Sequence, residues 1–341
     1  MNSYFFVRTP IQYYNAIEAK VKNCQATKST LVVLSDFKPT LIQFEGLIDD
    51  QMWSKVITPW DKYQKLSRFK LLNRILNINR RITLHKTLKK INKDDMVFWG
   101  NYNSIWLRYF LGKKNNTVTI LDDGFATLSL VEHLQNDNIE FKKSRNITGY
   151  LESILVSRST RIPIKRLKFF TSFKNIAPVI TERSTYTEYP FLRKKGNHKL
   201  SVEKKMYFIG QPLIRLSLMD KGEYIRNVNH IFAHYKNQGL QCFYIPHRTS
   251  KHDYYPKHWK IKNFNFPLES LIFQDEGGLP KIMASFYSSA LYFVDKFSQN
   301  EKIYFDYWEA KDLASQSIIQ NCYLYIKKGK FKNTTVHKLD I

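Results

Sequence analysis

Two adjacent carboxylates follow a short β-branched run in the first half of the chain. The run Thr117–Leu121 is typical of a buried strand, and Asp122, Asp123 and Gly124 come directly after it. Ligands of open parallel sheets bind beyond the carboxyl ends of the strands, so the two acids are placed where a substrate would lie. Adjacent residues leave a strand end in different directions, so one carboxylate can face a ligand while the other holds the loop. The alternative is an Asx-type turn that caps the next helix.

A second group of polar residues, in the second half of the chain, could bind an anionic nucleotide. His247 follows an apolar run, and Arg248 adds a fixed positive charge beside it. Ser288 and Ser289 could donate hydroxyl and backbone N–H groups to a phosphate, and Glu269 could accept from both hydroxyls of a ribose. Taken singly, each residue also fits an ordinary surface position. Two α/β halves around a cleft would suit a two-substrate transfer enzyme, with a nucleotide on one half and an acceptor on the other.

The apolar pattern predicts two α/β halves, each built from strand–helix–strand units of a parallel sheet. In the first half, four predicted strands end in polar or glycine turns that would line one edge of one sheet: Tyr4–Val7, Leu31–Leu34, Met96–Trp99 and Thr117–Leu121. The second half is predicted to contain strands over Met206–Ile209, Gln241–Ile245 and Leu291–Val294, helices over Glu223–Tyr235 and Tyr304–Gln320, and a helical turn over Leu279–Ala284.

A polar and charged stretch, Arg193–Asn197, has the composition of a linker. It divides the chain into predicted domains 1–200 and 201–341. The length of 341 residues agrees with two domains, because it exceeds that of one ordinary domain. The two halves are expected to face each other across a cleft that holds the ligands.

The net charge limits the partners. The chain contains 54 Lys and Arg against 29 Asp and Glu, and the resulting charge of +25 predicts an anionic partner. Nucleic acid, a phosphorylated sugar and an acidic membrane face would all satisfy this charge. Three scattered cysteines are too few for a disulfide frame or a zinc site, and they indicate a reducing compartment.

The sequence also predicts where the protein is found. The N-terminus lacks the charged leader and apolar run of a signal peptide, and no run of about 18 apolar residues could span a bilayer. The expected location is the cytoplasm, with any membrane contact made peripherally through basic and aromatic residues. Residues 61–93 predict an amphipathic helix with a solvated basic face, or alternatively a face for a membrane or an anionic acceptor. Arg158–Lys168 is a second basic stretch.

Several familiar nucleotide and metal motifs do not occur in the sequence. No strand is followed by Gly-x-Gly-x-x-Gly or by a P-loop lysine motif, which argues against dinucleotide oxidoreductases and P-loop enzymes. No Cys and His residues have zinc-site spacing.

Three motifs, in this order, resemble those of bacterial sialyltransferases with two Rossmann-like domains. They are Asp122-Asp123-Gly124, Pro246-His247-Arg248 and Ser288-Ser289. The chain most resembles glycosyltransferase family 52, the lipooligosaccharide sialyltransferases, and the capsule polysialyltransferases share the motifs more distantly. Arg248 departs from the pattern, because it stands where these families usually have proline.

Other segments carry the same resemblance over most of the chain. They are the opening Val7–Gln12 with Asn15-Ala16, the turn Gly210–Leu213, and the spacing from Glu269 through Leu279-Pro280 to Ser288–Leu291.

The resemblance implies a GT-B fold, with an acceptor-binding domain that carries the catalytic base and a second domain that binds a CMP-sugar. The implied reaction is an inverting transfer of sialic acid from CMP-sialic acid to a hydroxyl of a cell-surface glycan, in lipooligosaccharide or capsule. Only a monophosphate leaves, so no metal and no other cofactor is expected. The implied setting is the cytoplasmic face of the inner membrane, and a homodimer is compatible with the family.

The resemblance also implies roles for individual residues. Asp123 would take the proton from the acceptor hydroxyl, with Asp122 as the rival assignment. His247 would stabilise or protonate the departing phosphate, helped by Ser288 and Ser289. The remaining donor-binding residues would be Glu269 on the ribose, Arg248, Gly210 and Gln211. The acceptor-binding residues would be Thr9, Gln12, Gly100 and Asn101.

Three alternatives stay open. The first is a transferase of another CMP-activated acid, such as Kdo or pseudaminic acid, or of another nucleotide sugar, and Arg248 motivates it. The second is a nucleic-acid-binding protein, which the charge and the 24 Phe and 21 Tyr would fit. The aromatic residues fall mostly within apolar runs, as core residues do, and no RNP-like or zinc-finger pattern occurs, so no nucleic-acid partner is predicted. The third is a surface protein without catalytic activity.

Overall fold

The computed structural model describes residues 1–35, 37–58, 81–135, 164–174, 181–196, 199–249, 255–274, 278–298, 302–310, 313, 317–329, 331 and 333–339. The chain divides into two compact units, Met1–Thr187 and Glu188–Ile341. Each unit contains one parallel sheet whose strands are connected by helices.

In the residues that the structure describes, the first unit contains seven parallel strands. They are β1 (Asn2–Val7), β2 (Lys28–Val33), β3 (Lys55–Ile57), β4 (Met96–Trp99), β5 (Val118–Leu121), β6 (Leu167–Thr171) and β7 (Ser184–Tyr186). Its helices include α1 (Pro10–Asn23), α2 (Lys38–Glu45), α3 (Ile105–Lys113) and α4 (Ala126–Gln135). The strand order is β3-β2-β1-β4-β5-β6-β7. Strands buried on both faces read as continuous apolar runs, which is why the sequence pattern located β1, β2, β4 and β5.

Aromatic side chains of the neighbouring strands β1 and β4 stack on each other in the core of the first unit. The rings of Phe5 and Phe98 stack with centroids 4.4 Å apart, and those of Phe6 and Trp99 stack at 4.1 Å. All four side chains are buried. This packing fixes the register of the two central strands, so the loops that follow them begin at defined positions.

The strand order reverses direction between β1 and β4. In open parallel sheets, ligands bind beyond the strand ends at such a switch point. The loop after β1 carries Thr9, the loop after β4 carries Gly100 and Asn101, and the neighbouring β5 ends at Asp122. The acceptor-binding and acidic residues expected from the sequence therefore follow three adjacent strands.

The described part of the second unit contains five parallel strands, β8 (Lys205–Ile209), β9 (Gln241–Ile245), β10 (Ile282–Ser285), β11 (Tyr304–Ala310) and β12 (Thr334–Leu339). Its helices include α5 (Pro190–Lys195), α6 (Lys221–Asn237), α7 (Ser289–Phe297) and α8 (Ser317–Gly329), and Leu268–Phe273 forms a 3₁₀ helix. The strand order β12-β11-β10-β8-β9 has its switch point between β8 and β10. Gly210 follows β8, and Ser288 lies between β10 and α7.

Two predicted elements next to the serine pair are wrong. The expected helical turn Leu279–Ala284 contains the start of strand β10, and the expected strand Leu291–Val294 lies inside helix α7. Both runs are short and almost entirely buried. They therefore lack the alternation of polar and apolar residues that distinguishes a helix from a strand in a sequence. The better signal was Ser288, whose side chain caps α7.

The predicted helix Tyr304–Gln320 is also wrong. Its first part is strand β11, and a helix forms only from Ser317 onward. Four of its seven residues, Tyr304, Phe305, Tyr307 and Trp308, are aromatic, which favours a strand over a helix. Strand β12 was not predicted, because its mixed polar sequence at the sheet edge lacks an apolar run.

The units divide earlier in the chain than the polar stretch Arg193–Asn197. Tyr189 is completely buried, with its ring 4.9 Å from that of Phe297 and 6.0 Å from that of Phe293 on α7. The segment that precedes β8 therefore belongs to the core of the second unit. Part of the polar stretch is the end of α5, whose side chains Arg193 and Lys195 lie on a short helix instead of in a flexible linker.

Two basic segments lie wholly or partly outside the described residues. The predicted helix over 61–93 is described only from residue 81 onward, and the stretch Arg158–Lys168 only from residue 164 onward. Among the helices that the structure describes, none is long and apolar enough to cross a bilayer.

Candidate active site

The Asp-Asp-Gly turn is held tightly at the end of β5. Gly124 has a φ of +64°, a left-handed conformation that glycine adopts without steric cost. The backbone N–H of Asp123 donates to Thr127 Oγ1 on α4 at 2.9 Å. The turn thus points the two carboxylates in different directions, and each has its own set of partners.

Asp122 faces the interior of the first unit. Its Oδ2 accepts from the backbone N–H of Ser172 at 2.7 Å and from the Ser172 hydroxyl at 3.1 Å. The side chain is only 1% exposed, and this burial raises its pKa from 3.8 to about 7. Asp122 therefore ties the end of β5 to the loop after β6. This geometry is that of a structural carboxyl group.

The raised pKa of Asp122 predicts a specific pH dependence of stability. The folded protein binds a proton on the Asp122 carboxyl more tightly than the unfolded chain does. The free energy of unfolding therefore decreases as pH rises from about 4 to 7, by on the order of 4 kcal/mol. Asp122→Asn should remove that slope when urea unfolding is measured across this range. Asp50→Asn, at an exposed position of the same unit, should keep the wild-type slope. An unchanged slope in Asp122→Asn would mean that Asp122 does not titrate in this range.

Asp123 is the more exposed of the two carboxylates. It is half-buried, and its Oδ1 accepts from Thr9 Oγ1 at 3.2 Å. Burial and the negative charge of Asp123 also raise the pKa of the Tyr102 phenol, in the loop after β4. The loops after β1, β4 and β5 thus bring a hydroxyl, a phenol and a carboxylate together.

Thr9 and Gln12 form the capping box of α1. The backbone N–H of Gln12 donates to Thr9 Oγ1 at 3.4 Å, and the backbone N–H of Thr9 donates to Gln12 Oε1 at 3.4 Å. The backbone N–H of Arg8 also donates to Gln12 Oε1, at 2.6 Å. Gln12 is fully buried and packs against the backbone of Gly100, where a Cβ would overlap it. Asn101 is half-buried, and its Oδ1 accepts from the backbone N–H of Asn103 at 3.0 Å. Among the four expected acceptor residues, Thr9 contacts Asp123 directly, whereas Gln12 and Gly100 support the loops.

His247 has a defined tautomer when it is neutral. The backbone N–H of Thr249 donates to Nδ1 at 3.2 Å, so the ring hydrogen lies on Nε2. The Thr249 hydroxyl also lies 2.8 Å from Nδ1. Burial, followed by the charges of Arg248 and Arg215, lowers the pKa of His247 to about 4. His247 is therefore a neutral imidazole near pH 7 that presents an N–H donor.

The loops after β8 and β10 are joined by a hydrogen bond. Gln211 Oε1 accepts from the backbone N–H of Tyr287 at 3.1 Å, and the Gly210 N–H donates to Ile245 O at 2.8 Å. Ser288 is the N-cap of α7, with its Oγ accepting from the Ala290 N–H at 3.3 Å. This is the switch point of the second sheet, where a helix N-terminus favours an anion.

Glu269 lies on the 3₁₀ helix Leu268–Phe273 and interacts electrostatically with Arg248. Burial raises the pKa of its carboxyl, whereas the charge of Arg248 lowers it. Because Arg248 also lowers the pKa of His247, its guanidinium acts on both side chains. The second unit thus groups the histidine, the arginine and the glutamate that the sequence singled out.

Four site residues were missed at the sequence level. They are Tyr102, Thr127, Ser172 and Arg215. Ser172 and Tyr102 follow strands β6 and β4, so the rule that ligands lie at strand ends could have found them. Thr127 and Arg215 lie in no motif, and only the folded contacts identify them. Within the described ranges, no group of three or more His, Cys, Asp or Glu side chains could hold a metal ion.

Comparisons with solved structures identify the fold. UGT71G1 of Medicago truncatula, complexed with UDP-glucose, covers 100% of this chain and 86% of its own, with 11% identity and a TM-score of 0.51. UGT89C1 of Arabidopsis thaliana, complexed with UDP-L-rhamnose, covers 99% and 85%, with 9% identity and a TM-score of 0.46. The similarity to UGT71G1 confirms the predicted α/β fold with two Rossmann-like domains of the GT-B type.

A comparison with curated proteins found no match. The model of glycosyltransferase family 52 matches residues 48–297, which is more than half of the chain. The matched range contains the Asp-Asp-Gly turn, His247, Glu269 and the serine pair. The chain therefore belongs to glycosyltransferase family 52 and is a glycosyltransferase.

Proposed function

We propose that this glycosyltransferase is an inverting, metal-independent sialyltransferase that moves sialic acid from CMP-sialic acid to a hydroxyl of a cell-surface glycan. The observation that supports the proposal is that the two carboxylates of the acidic pair have different environments. Asp122 is buried and hydrogen-bonded to Ser172, whereas Asp123 is half-buried and accepts a hydrogen bond from Thr9. One carboxylate is thus left for general-base catalysis, as a single displacement requires.

In the proposed reaction, Asp123 removes the proton from the acceptor hydroxyl as its oxygen attacks the anomeric carbon. The bond from that carbon to the phosphate oxygen breaks, and its electron pair leaves with the phosphate. Thr9 holds the carboxylate through its hydroxyl. Asp122 is the rival base, but its buried hydrogen bonds to Ser172 make it the weaker candidate.

The donor would bind to the second unit. The Nε2–H of His247 and the N–H groups at the start of α7, next to Ser288 and Ser289, are suited to a monophosphate. Glu269 would accept hydrogen bonds from the ribose hydroxyls. Gln211 holds the loop before Ser288 in place through its hydrogen bond with the Tyr287 N–H. A single phosphate brings less charge than a diphosphate, which is why no metal and no other cofactor is part of the proposal.

The physiological setting belongs to the same proposal. The charge of +25 suits an anionic glycolipid acceptor and peripheral contact with the cytoplasmic face of the inner membrane. Lipooligosaccharide or capsule would supply the acceptor, and a homodimer is compatible with it.

A second candidate is transfer of another CMP-activated acid, such as Kdo or pseudaminic acid. Arg248 favours it, because its charge acts on both His247 and Glu269 in the expected donor site. A panel of CMP-sugars, followed by release of CMP, distinguishes the two donors. Faster turnover of a donor other than CMP-sialic acid would replace the first assignment.

Thermal-shift binding tests the nucleotide part of the proposal. CMP, CDP, UDP, GDP and ADP would be compared with and without a divalent cation. Of these nucleotides, only CMP should stabilise the protein, and it should do so without metal. The expected gain is about 2.7 kcal/mol at a CMP concentration 100 times the dissociation constant. Preference for a diphosphate would contradict a CMP-sugar donor. Absence of any nucleotide response, together with salt-dependent binding of oligonucleotides, would favour a nucleic-acid-binding protein.

A further inference from the structure

Two arginines act on His247 from different loops of the second unit. Arg248 follows His247 directly, and Arg215 lies in the loop after β8. Arg215 lines a recess there with Gln211, Tyr224 and other side chains. Both arginines are exposed, and neither forms an ion pair with a carboxylate that the structure describes. Their positive charges are thus available to a ligand.

The loop that carries Arg215 is ordered by its own backbone. The N–H of Leu216 donates to Pro212 O at 3.0 Å, and the N–H of Leu218 donates to Leu213 O at 3.0 Å. Ser217 takes up a left-handed conformation with a φ of +54°. The loop is therefore a compact turn that holds the Arg215 backbone in place.

The same loop is linked to the N-terminus of α7. Gln211, four residues before Arg215, accepts from the Tyr287 N–H, and Tyr287 directly precedes the helix cap Ser288. The strands β8, β9 and β10 that precede these loops are hydrogen-bonded neighbours. Arg215, His247 and Ser288 therefore belong to three loops at one edge of one sheet.

The reaction creates negative charge at this position. When the bond to the anomeric carbon breaks, its electron pair passes to the phosphate, and the leaving nucleotide gains one negative charge. A neutral imidazole can donate a hydrogen bond to that phosphate but cannot balance its charge. The guanidiniums of Arg248 and Arg215, which act on His247, are fixed cations able to do so.

We propose that Arg215, together with Arg248, supplies the positive charge for the departing phosphate, whereas His247 acts as a neutral hydrogen-bond donor. The inference rests on the proposed function, because it assumes a nucleotide monophosphate in the second unit. It assigns Arg215 as a further phosphate-binding residue.

Binding of CMP and of cytidine separates phosphate recognition from other effects. Arg215→Gln should weaken CMP binding about ten- to hundredfold, since a hydrogen bond to a charged group is lost. Cytidine, which lacks the phosphate, should bind with unchanged affinity, and Arg215→Lys should retain part of the CMP affinity. Lys281→Gln removes the same charge from an exposed position just before β10, at the opposite edge of the sheet, and should bind CMP normally.

A second measurement reads the electrostatic link directly. The His247 pKa followed by NMR should rise in Arg215→Gln and stay unchanged in Lys281→Gln. Equal CMP binding by Arg215→Gln and wild type, or parallel loss of CMP and cytidine, would overturn the inference while the proposed function stands. Failure of the wild-type protein to bind CMP would instead contradict the proposed function.

Discussion

Replacing Asp123 with asparagine is expected to lower the rate of sugar transfer by about 100- to 10,000-fold. The asparagine can still accept a hydrogen bond from Thr9 through its amide oxygen, so the loop geometry is kept. It cannot take a proton from the acceptor hydroxyl. The expected result is a loss of kcat with unchanged CMP affinity and unchanged thermal stability. Transfer would be measured as release of CMP in the presence of acceptor.

Two control variants make this result specific. Asp50→Asn removes one exposed carboxylate of the same unit and should keep full activity. Asp122→Asn should chiefly change the pH dependence of stability, because its side chain is buried against Ser172. If Asp122→Asn retained the fold but lost all transfer, while Asp123→Asn remained active, the two carboxylates would have to exchange roles. If neither variant lost activity, the turn would not contain the base.

Much of the first unit could be predicted from the sequence. Its central strands are buried on both faces, so they read as apolar runs that stop at polar or glycine residues. The predicted Met96–Trp99 agrees with β4, and the predicted Tyr4–Val7 lies within β1. The same rule located Gly100 and Asp122 at strand ends.

The second unit was harder to predict for a physical reason. Helix α7 buries almost its whole surface, so Leu291–Val294 carries no polar positions from which a helical period could be read. The run of large side chains in strand β11 continues toward α8, so the sequence predicts one helix over both. Local sequence could not resolve either case, since burial is decided by the packed sheet.

The sequence identified the acidic pair but could not assign different roles to its members. Asp122 and Asp123 are adjacent and chemically identical. Their environments differ through partners distant in the chain, Ser172 for Asp122 and Thr9 for Asp123. Likewise, the pKa of His247 is lowered first by burial and then by the charges of Arg248 and Arg215, and Arg215 lies in no motif. Contacts of this kind arise only on folding.

Replacing His247 with alanine is expected to reduce kcat by about 100- to 1,000-fold, the range for loss of one hydrogen-bond donor to developing negative charge. The donor is the Nε2–H, which the Thr249 N–H fixes by occupying Nδ1. His247→Gln can place an amide N–H near the same position, so it should recover part of the lost rate. His258→Ala, at an exposed histidine of the same unit, should leave transfer unchanged.

The pH profile decides between a neutral donor and a proton donor at this position. The pKa of His247 lies near 4, so its neutral form dominates in the free enzyme from pH 5 upward. If the neutral imidazole acts, kcat/KM should show no loss assigned to His247 between pH 5 and 8. If the enzyme needed a protonated His247, kcat/KM would fall about tenfold per pH unit above pH 4, and His247→Gln would be as inactive as His247→Ala. That outcome would transfer the task of balancing the phosphate charge from the two arginines to the histidine.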